Sequence, residues 1–227
     1  VRKTSVNVEI RTLKAIFNIA VKWEYINNNP LKGIKQFSIP EAEPSVFSSS
    51  DISLIISLLP NQTLKNIVLF ASLTGCRLNE ILNVQIKNIN LAELHLTIEN
   101  KADFKTKSRK NRRIPISKKL AELLEGIFKQ DGNIFTLFNP DSYLFARDGK
   151  RFTIDYISKQ FKKALRAGNF ADRFHFHCLR HTFITNLIRS GVNINHVKEI
   201  AGHSDIKTTM SYIHLVTEDL REAVNRI

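Results

Sequence analysis

"LHLTIENKADFKTKSRKNRRIPI", residues 94–116, breaks the helical spacing that surrounds it. Its first seven residues alternate apolar and polar side chains, the period of a half-buried strand. "RRIPI" at 112–116 reads as the returning strand, with Pro115 marking an edge or a strand end because it has no N–H for the ladder. "KADFKTKSRKN" between them is a basic tip. Upstream, residues 51 to about 90 carry helical spacing; downstream, helices are expected over 117–129, 153–167, 179–190, 193–201, 205–214 and 218–226. The expected fold is therefore mainly α with one small antiparallel β-sheet.

Residues 5–26 place Val8, Leu13, Ile16, Phe17, Ala20 and Val21 at largely helical spacing, and "NNNP" at 27–30 ends that helix. One amphipathic helix with a short tail cannot bury its apolar face alone. Residues 1–39 are accordingly expected to be the last part of a helical module truncated upstream, and the initial valine points to a fragment. "IPEAEPSVFSSSD", with two prolines, two glutamates and no basic residue, reads as a linker over 40–50 that closes in a helix cap near Ser50 or Asp51. Residues 51–227 form the second domain.

Hydrophobic content of 43% and charged content of 24% are ordinary for a soluble globular chain. The balance is not: 34 Lys+Arg against 21 Asp+Glu give a formal charge of +13. That surplus fits a polyanionic partner, nucleic acid or an anionic membrane face, or a solvated surface that favours lysine. No apolar run approaches the ~20 residues of a spanning helix. Cys76 and Cys178 lack zinc-like or redox spacing, so a reducing compartment is expected.

"TGCRLNE", residues 74–80, puts Arg77 at the edge of the apolar run "NIVLFASL". A buried, unpaired guanidinium is costly, so Arg77 needs a resident acid, an incoming anion or a route to water. In "FHFHCLRHTFITNLI", His177 and Arg180 face the same way on a helix start. "EIAGHSDIKTTMSYIHL" sets His203 before a helix capped by Ser204 or Asp205, with Tyr212 about two turns on. His175, His177, His181 and His203, with Cys178, make a conceivable metal cluster. The metalloprotease glutamate is missing, however, and Arg180 between two ligands would repel a cation. His175 and His181 read as core or helix-start residues, and His214 as peripheral.

Taken in order, "TGCRLNE", the basic hairpin, "HCLRHTF" and "AGHSDIKTTMSYIH" resemble the tyrosine recombinase (phage integrase) family over residues 46–227. The start of the chain resembles the end of that family's core-binding domain. The resemblance implies that Arg77 and Arg180 are the paired active-site arginines, with His177 and His203 beside them. It makes Tyr212 the nucleophile and Lys107 the hairpin lysine, with Lys105 as the other candidate, and Glu80 a supporting acid. It further implies strand cleavage and rejoining through a 3′-phosphotyrosine intermediate, without metal, ATP or other cofactor. Lys105, Arg109, Lys110, Arg112 and Arg113 are expected to touch DNA backbone; Lys159, Lys162, Lys163 and Arg166 form either a solvated face or a further contact. The expected partner is double-stranded DNA, with a homotetramer on DNA, a monomer when free, and no membrane. The expected setting is the cytoplasm of a bacterium or phage host. Residues 217–227 dock on a neighbour or fold back in cis. Type IB topoisomerase-like relaxation and a catalytically inactive DNA-binding relative are the alternatives.

Overall fold

The computed structural model describes residues 2–39, 43–100, 104, 111–130, 139–147 and 149–213. The chain divides into two compact units, Val1–Glu43 and Pro44–Ile227.

In the first unit, helix α1 (Lys3–Lys22) leaves Val8, Leu13, Ile16 and Ile19 about half exposed and buries Asn7. What holds the unit is polar. The Asn7 amide donates to the Phe37 carbonyl and accepts from the Phe37 N–H, while Asn29 bonds the Lys14 carbonyl. A single helix does not cover its own apolar face, as the spacing implied.

The second unit begins with α2 (Ser49–Leu58), α3 (Gln62–Thr74) and the short α4 (Leu78–Leu82). Ser48 caps α2 through a reciprocal box with Asp51, slightly ahead of the expected cap. A three-stranded antiparallel sheet follows, ordered β1 (Ile89–Asn90), β2 (His95–Ile98), β3 (Arg112–Pro115). Leu96 and Ile98 face the core, and Pro115 closes an edge strand, as the alternation requires. Then come α5 (Lys118–Gln130), a two-stranded sheet of β4 (Ala146–Arg147) and β5 (Lys150–Arg151), and α6 (Ile154–Ala167). The described chain ends with α7 (His177–Arg189), α8 (Ile194–Ala201) and α9 (Ile206–Met210). The strands of two residues each, β1, β4 and β5, were not expected; such segments are too short to carry a period.

The main core gathers Ile55, Ile67, Phe70, Ile81, Leu96, Ile114, Leu120, Phe145, Phe161 and Leu179. Phe47 belongs to it, stacked on Phe174 at 4.8 Å between ring centres. Residues from Pro44 therefore belong to the second unit rather than to a linker reaching residue 50. A smaller cluster joins Ile184, Val197 and Ala201 to the ring of Tyr212, with Phe183 and Leu187 against it. The helix expected over 218–226 lies outside the described residues.

Candidate active site

Helix α3 delivers the first arginine. It ends at Gly75, whose φ of 62° is a left-handed conformation that glycine adopts without strain. The turn is also crowded: a Cβ on Gly75 would fall 2.3 Å from the Phe183 ring. Arg77 leaves the core at this turn and opens α4, its backbone N–H donating to Glu80 Oε2 at 2.9 Å. Its Nη1 donates to Oε1 of the same carboxylate at 3.0 Å, with the side chain 23% exposed. Arg77 thus has its resident acid and keeps a face towards solvent.

Glu80 is buried and shared. Arg112 from β3 grips it as a fork, at 2.7 Å to Oε2 and 3.1 Å to Oε1, and its Nε donates to the Ile200 carbonyl at 3.0 Å. Burial alone would raise the Glu80 carboxyl; the bond and charge of Arg112, then Arg77, outweigh it and hold the group below its ordinary range. Arg112, one of the side chains expected at the DNA backbone, is committed here to Glu80 and the Ile200 carbonyl. In the register of β2 and β3, Arg112 sits opposite Ile98 and Ile114 opposite Leu96. Directly opposed residues share a face, here the buried one. Arg112 is an internal strut tying β3 to α4 and to the end of α8. Arg113, one residue on, is exposed.

The first turns of α7 carry His177, Arg180 and His181. Arg180 is 2% exposed, and its hydrogen bonds go to main-chain carbonyls: Nη1 to Gly75 at 2.7 Å and Nη2 to Ala201 at 2.6 Å. It staples the Arg77 turn to the end of α8. Burial first, then the like charge of Arg77, lower its pKa to about 10. Arg77 and Arg112 share the one carboxylate of Glu80 and Arg180 has none, leaving a positive surplus that suits an anion.

Gly202, in the left-handed region, ends α8 and lies close under Arg112. The chain then presents His203, whose Nδ1 meets Thr209 Oγ1 at 2.9 Å. Burial, followed by Arg180, Arg77, His177 and Arg112, pushes its pKa down to about 3, so the ring is neutral near pH 7. That a single ring is acted on by three guanidinium groups and by His177 places it among them. An open groove of about 550 Å³ runs from His203 past Arg113, Lys198 and Ser204.

Tyr212 follows α9, which Asp205 caps through the Lys207 N–H. Its ring is 4% exposed, lying 5.6 Å from His181 and 6.3 Å from the nearly parallel ring of His203. The hydroxyl meets His181 Nδ1 at 2.6 Å. Burial raises the phenol's pKa, while Arg180 and Arg77 pull it the other way. His177 packs edge-to-face on His181 at 4.8 Å and opens to solvent. Partial burial, then His181, Arg180 and Arg77, hold it well below its ordinary value.

The structure thus gathers Arg77, His177, Arg180, His203 and Tyr212. Lys107 lies outside the described residues, as do Lys105, Arg109, Lys110 and His214. The sequence reading gave His181 as a core or helix-start residue and did not place it in the site, although its place four residues after His177 and beside Arg180 put it on the same turns. Among the described residues no group of three His, Cys, Asp or Glu side chains is placed to hold a metal ion, and no helix is long and apolar enough to cross a membrane.

A mainly helical domain with a small antiparallel sheet, gathering two arginines and three histidines around a buried tyrosine, defines a DNA-cleaving and rejoining enzyme of the tyrosine recombinase type. Residues 46–219 match the phage integrase family, and the chain belongs to it. It is 28% identical over 225 residues to a tyrosine recombinase of Pseudothermotoga lettingae, covering 99% of this chain and 75% of that protein. It is 31% identical to the integrase of Escherichia phage 186, covering 97% of this chain and 59% of that one. In fold it resembles the Tn1549 transposon integrase, solved in complex with transposon right end DNA, with a TM-score of 0.77 at 19% identity over 100% of this chain and 80% of that one.

Proposed function

We propose that Tyr212 is the nucleophile with which this recombinase cleaves and rejoins DNA, through a 3′-phosphotyrosine link. The observation that carries the reading is a buried phenol in the field of two arginines, its hydroxyl already hydrogen-bonded to an imidazole. Attack on a phosphodiester builds negative charge on the non-bridging oxygens. Arg77 and Arg180, permanently charged and fork-shaped, answer that charge, and His177 holds a phosphate oxygen from the solvent side. His203 packs the phenol and lines the approach. The departing 5′-oxygen takes a proton from the hairpin lysine, Lys107 before Lys105. Because the ester bond is kept in the protein, rejoining runs without ATP.

A DNA duplex nicked just past the cleavage point, which lets the short leaving strand diffuse away, tests the reading. An SDS-resistant protein–DNA adduct is expected, at the same rate in excess EDTA. Absence of the adduct on any such substrate, or its loss on chelation, would overturn it.

The transposon integrase was solved on DNA, and the surplus charge of this chain supports the same partner here. Arg113 and Lys198 in the groove, with Lys105, Arg109 and Lys110 of the hairpin, bind its backbone. Arg113→Ala is expected to lower the slope of log K against log salt by about 1. Arg112→Ala should leave that slope unchanged while destabilising the fold by about 3 kcal/mol, since it removes one side of a buried ion pair. Filter binding across a salt series, paired with thermal melts, separates the two; a changed slope for Arg112→Ala would return it to the DNA surface. Four copies on two duplexes, monomeric when free, complete the reading. Residues 1–39 then close a core-binding domain, residues 217–227 dock on a neighbouring copy, and the enzyme works in the cytoplasm.

A further inference from the structure

Three histidines surround the reacting phenol, and they are not equivalent. His203 Nδ1 is engaged by Thr209 at 2.9 Å. The His177 ring opens to solvent, where an incoming phosphate must pass. His181, half-buried, puts Nδ1 2.6 Å from the Tyr212 oxygen. We propose that His181 is the base that takes the Tyr212 proton during attack. The proposal rests on Tyr212 being the nucleophile, and it leaves His177, four residues earlier on the helix, to the phosphate.

The step balances as a single displacement. The phenol O–H bond breaks and its proton passes to Nδ1 of a neutral ring protonated on Nε2. The freed oxygen lone pair forms the bond to phosphorus, and the P–O5′ bond breaks, its electrons leaving on an oxygen protonated by the hairpin lysine. In the free protein the pair stays neutral. Burial, then the charges of His175 and Arg180, lower His181 to about 4, while burial lifts the phenol above its usual ~10. The groups facing His181 are His175, His177 and Arg180 from its own segment, and Tyr212 from the tyrosine segment. A phosphate held by Arg180 cancels one of the charges that keep the imidazole from accepting a proton. The base is thereby switched on by the substrate, and a free tyrosinate is avoided when no DNA is bound.

Two substitutions separate proton transfer from positioning. In His181→Asn the amide oxygen reaches the place of Nδ1 and accepts the phenol's hydrogen bond, but it takes no proton; His181→Ala does neither. Both are expected to slow adduct formation on the nicked duplex about 10²–10³-fold, within the range for general-base removal, with DNA retention unchanged. A substrate with sulfur at the bridging 5′ position needs no acid for its leaving group. It should rescue Lys107→Ala and leave both His181 variants slow.

A near-native rate in His181→Asn, an unchanged or faster rate in His181→Ala, or rescue of either variant by the sulfur substrate would overturn the proposal and leave the nucleophile assignment standing. Circular dichroism checks that each variant is folded, and His181→Asn keeps the test decisive should the alanine variant unfold. An adduct formed by Tyr212→Phe would instead overturn the nucleophile assignment, and this proposal with it.

Discussion

Tyr212→Phe is expected to form no detectable SDS-resistant adduct, a loss on the order of 10⁴-fold or more, while still retaining DNA. The argument turns on how little else the substitution disturbs. The ring packs with Ile184, Val197 and Ala201 in the smaller core cluster, and phenylalanine fills the same space. The lost hydrogen bond leaves His181 Nδ1 without its phenol, but His181 is only half-buried, so water can replace it at a cost of about 1 kcal/mol. In a domain of this size that shifts the melting temperature by a few degrees. Arg77, Arg180, Arg113 and Lys198 are untouched, so the electrostatic attraction to DNA persists. A folded, DNA-retaining and chemically silent protein is the expected result, checked by melting, filter binding and the nicked-duplex assay together. Residual adduct would mean that another side chain attacks.

How far the site was legible follows from what each residue needed. The alternation of "LHLTIEN" and the proline of "RRIPI" gave the sheet its period and its edge, because strand burial repeats every two residues. Arg77, Arg180 and Tyr212 were singled out by their order along the chain, which resembles the family; taken singly, an arginine beside a core run usually forms a structural ion pair and a tyrosine on a terminal helix usually packs. Arg112 was grouped with the other hairpin cations by charge, and its internal ion pair was not foreseen. Read with Ile114 and Ile116, it occupies the inward position of its strand, and only a buried acid makes that tolerable. That acid is Glu80, 32 residues earlier in the chain, and no local pattern links the two. His181 escaped for the complementary reason. A histidine on an apolar helix usually packs, and its partner lies 31 residues away, brought in by a turn whose path depends on the α7–α8 packing.

Arg180→Ala is expected to combine the largest loss of stability with a near-total loss of chemistry, because one side chain does two jobs. Its guanidinium bonds the carbonyls of Gly75 and Ala201, closing the turn that carries Arg77 onto the loop that carries His203. Removing it orphans two buried acceptors and leaves a cavity, a cost of about 2–4 kcal/mol even though a desolvated charge is removed as well. The electrostatic loss is separate. Burial and the nearby Arg77 depress Arg180 to about 10, which leaves it charged at neutral pH and without an acid of its own. Such a group is favoured by whatever anion arrives, and most of all by the extra charge of the transition state. Arg180→Lys parts the two roles: the charge stays, but a single ammonium does not reproduce a planar fork held between two carbonyls. The lysine variant should therefore melt between the native protein and the alanine variant, and form adduct about 10²–10³-fold more slowly because the fork no longer holds the Arg77 turn, whereas the alanine variant should lose charge and staple together. Adduct formation by Arg180→Lys within tenfold of the native rate would reduce Arg180 to a counter-charge and remove the fork geometry from the mechanism.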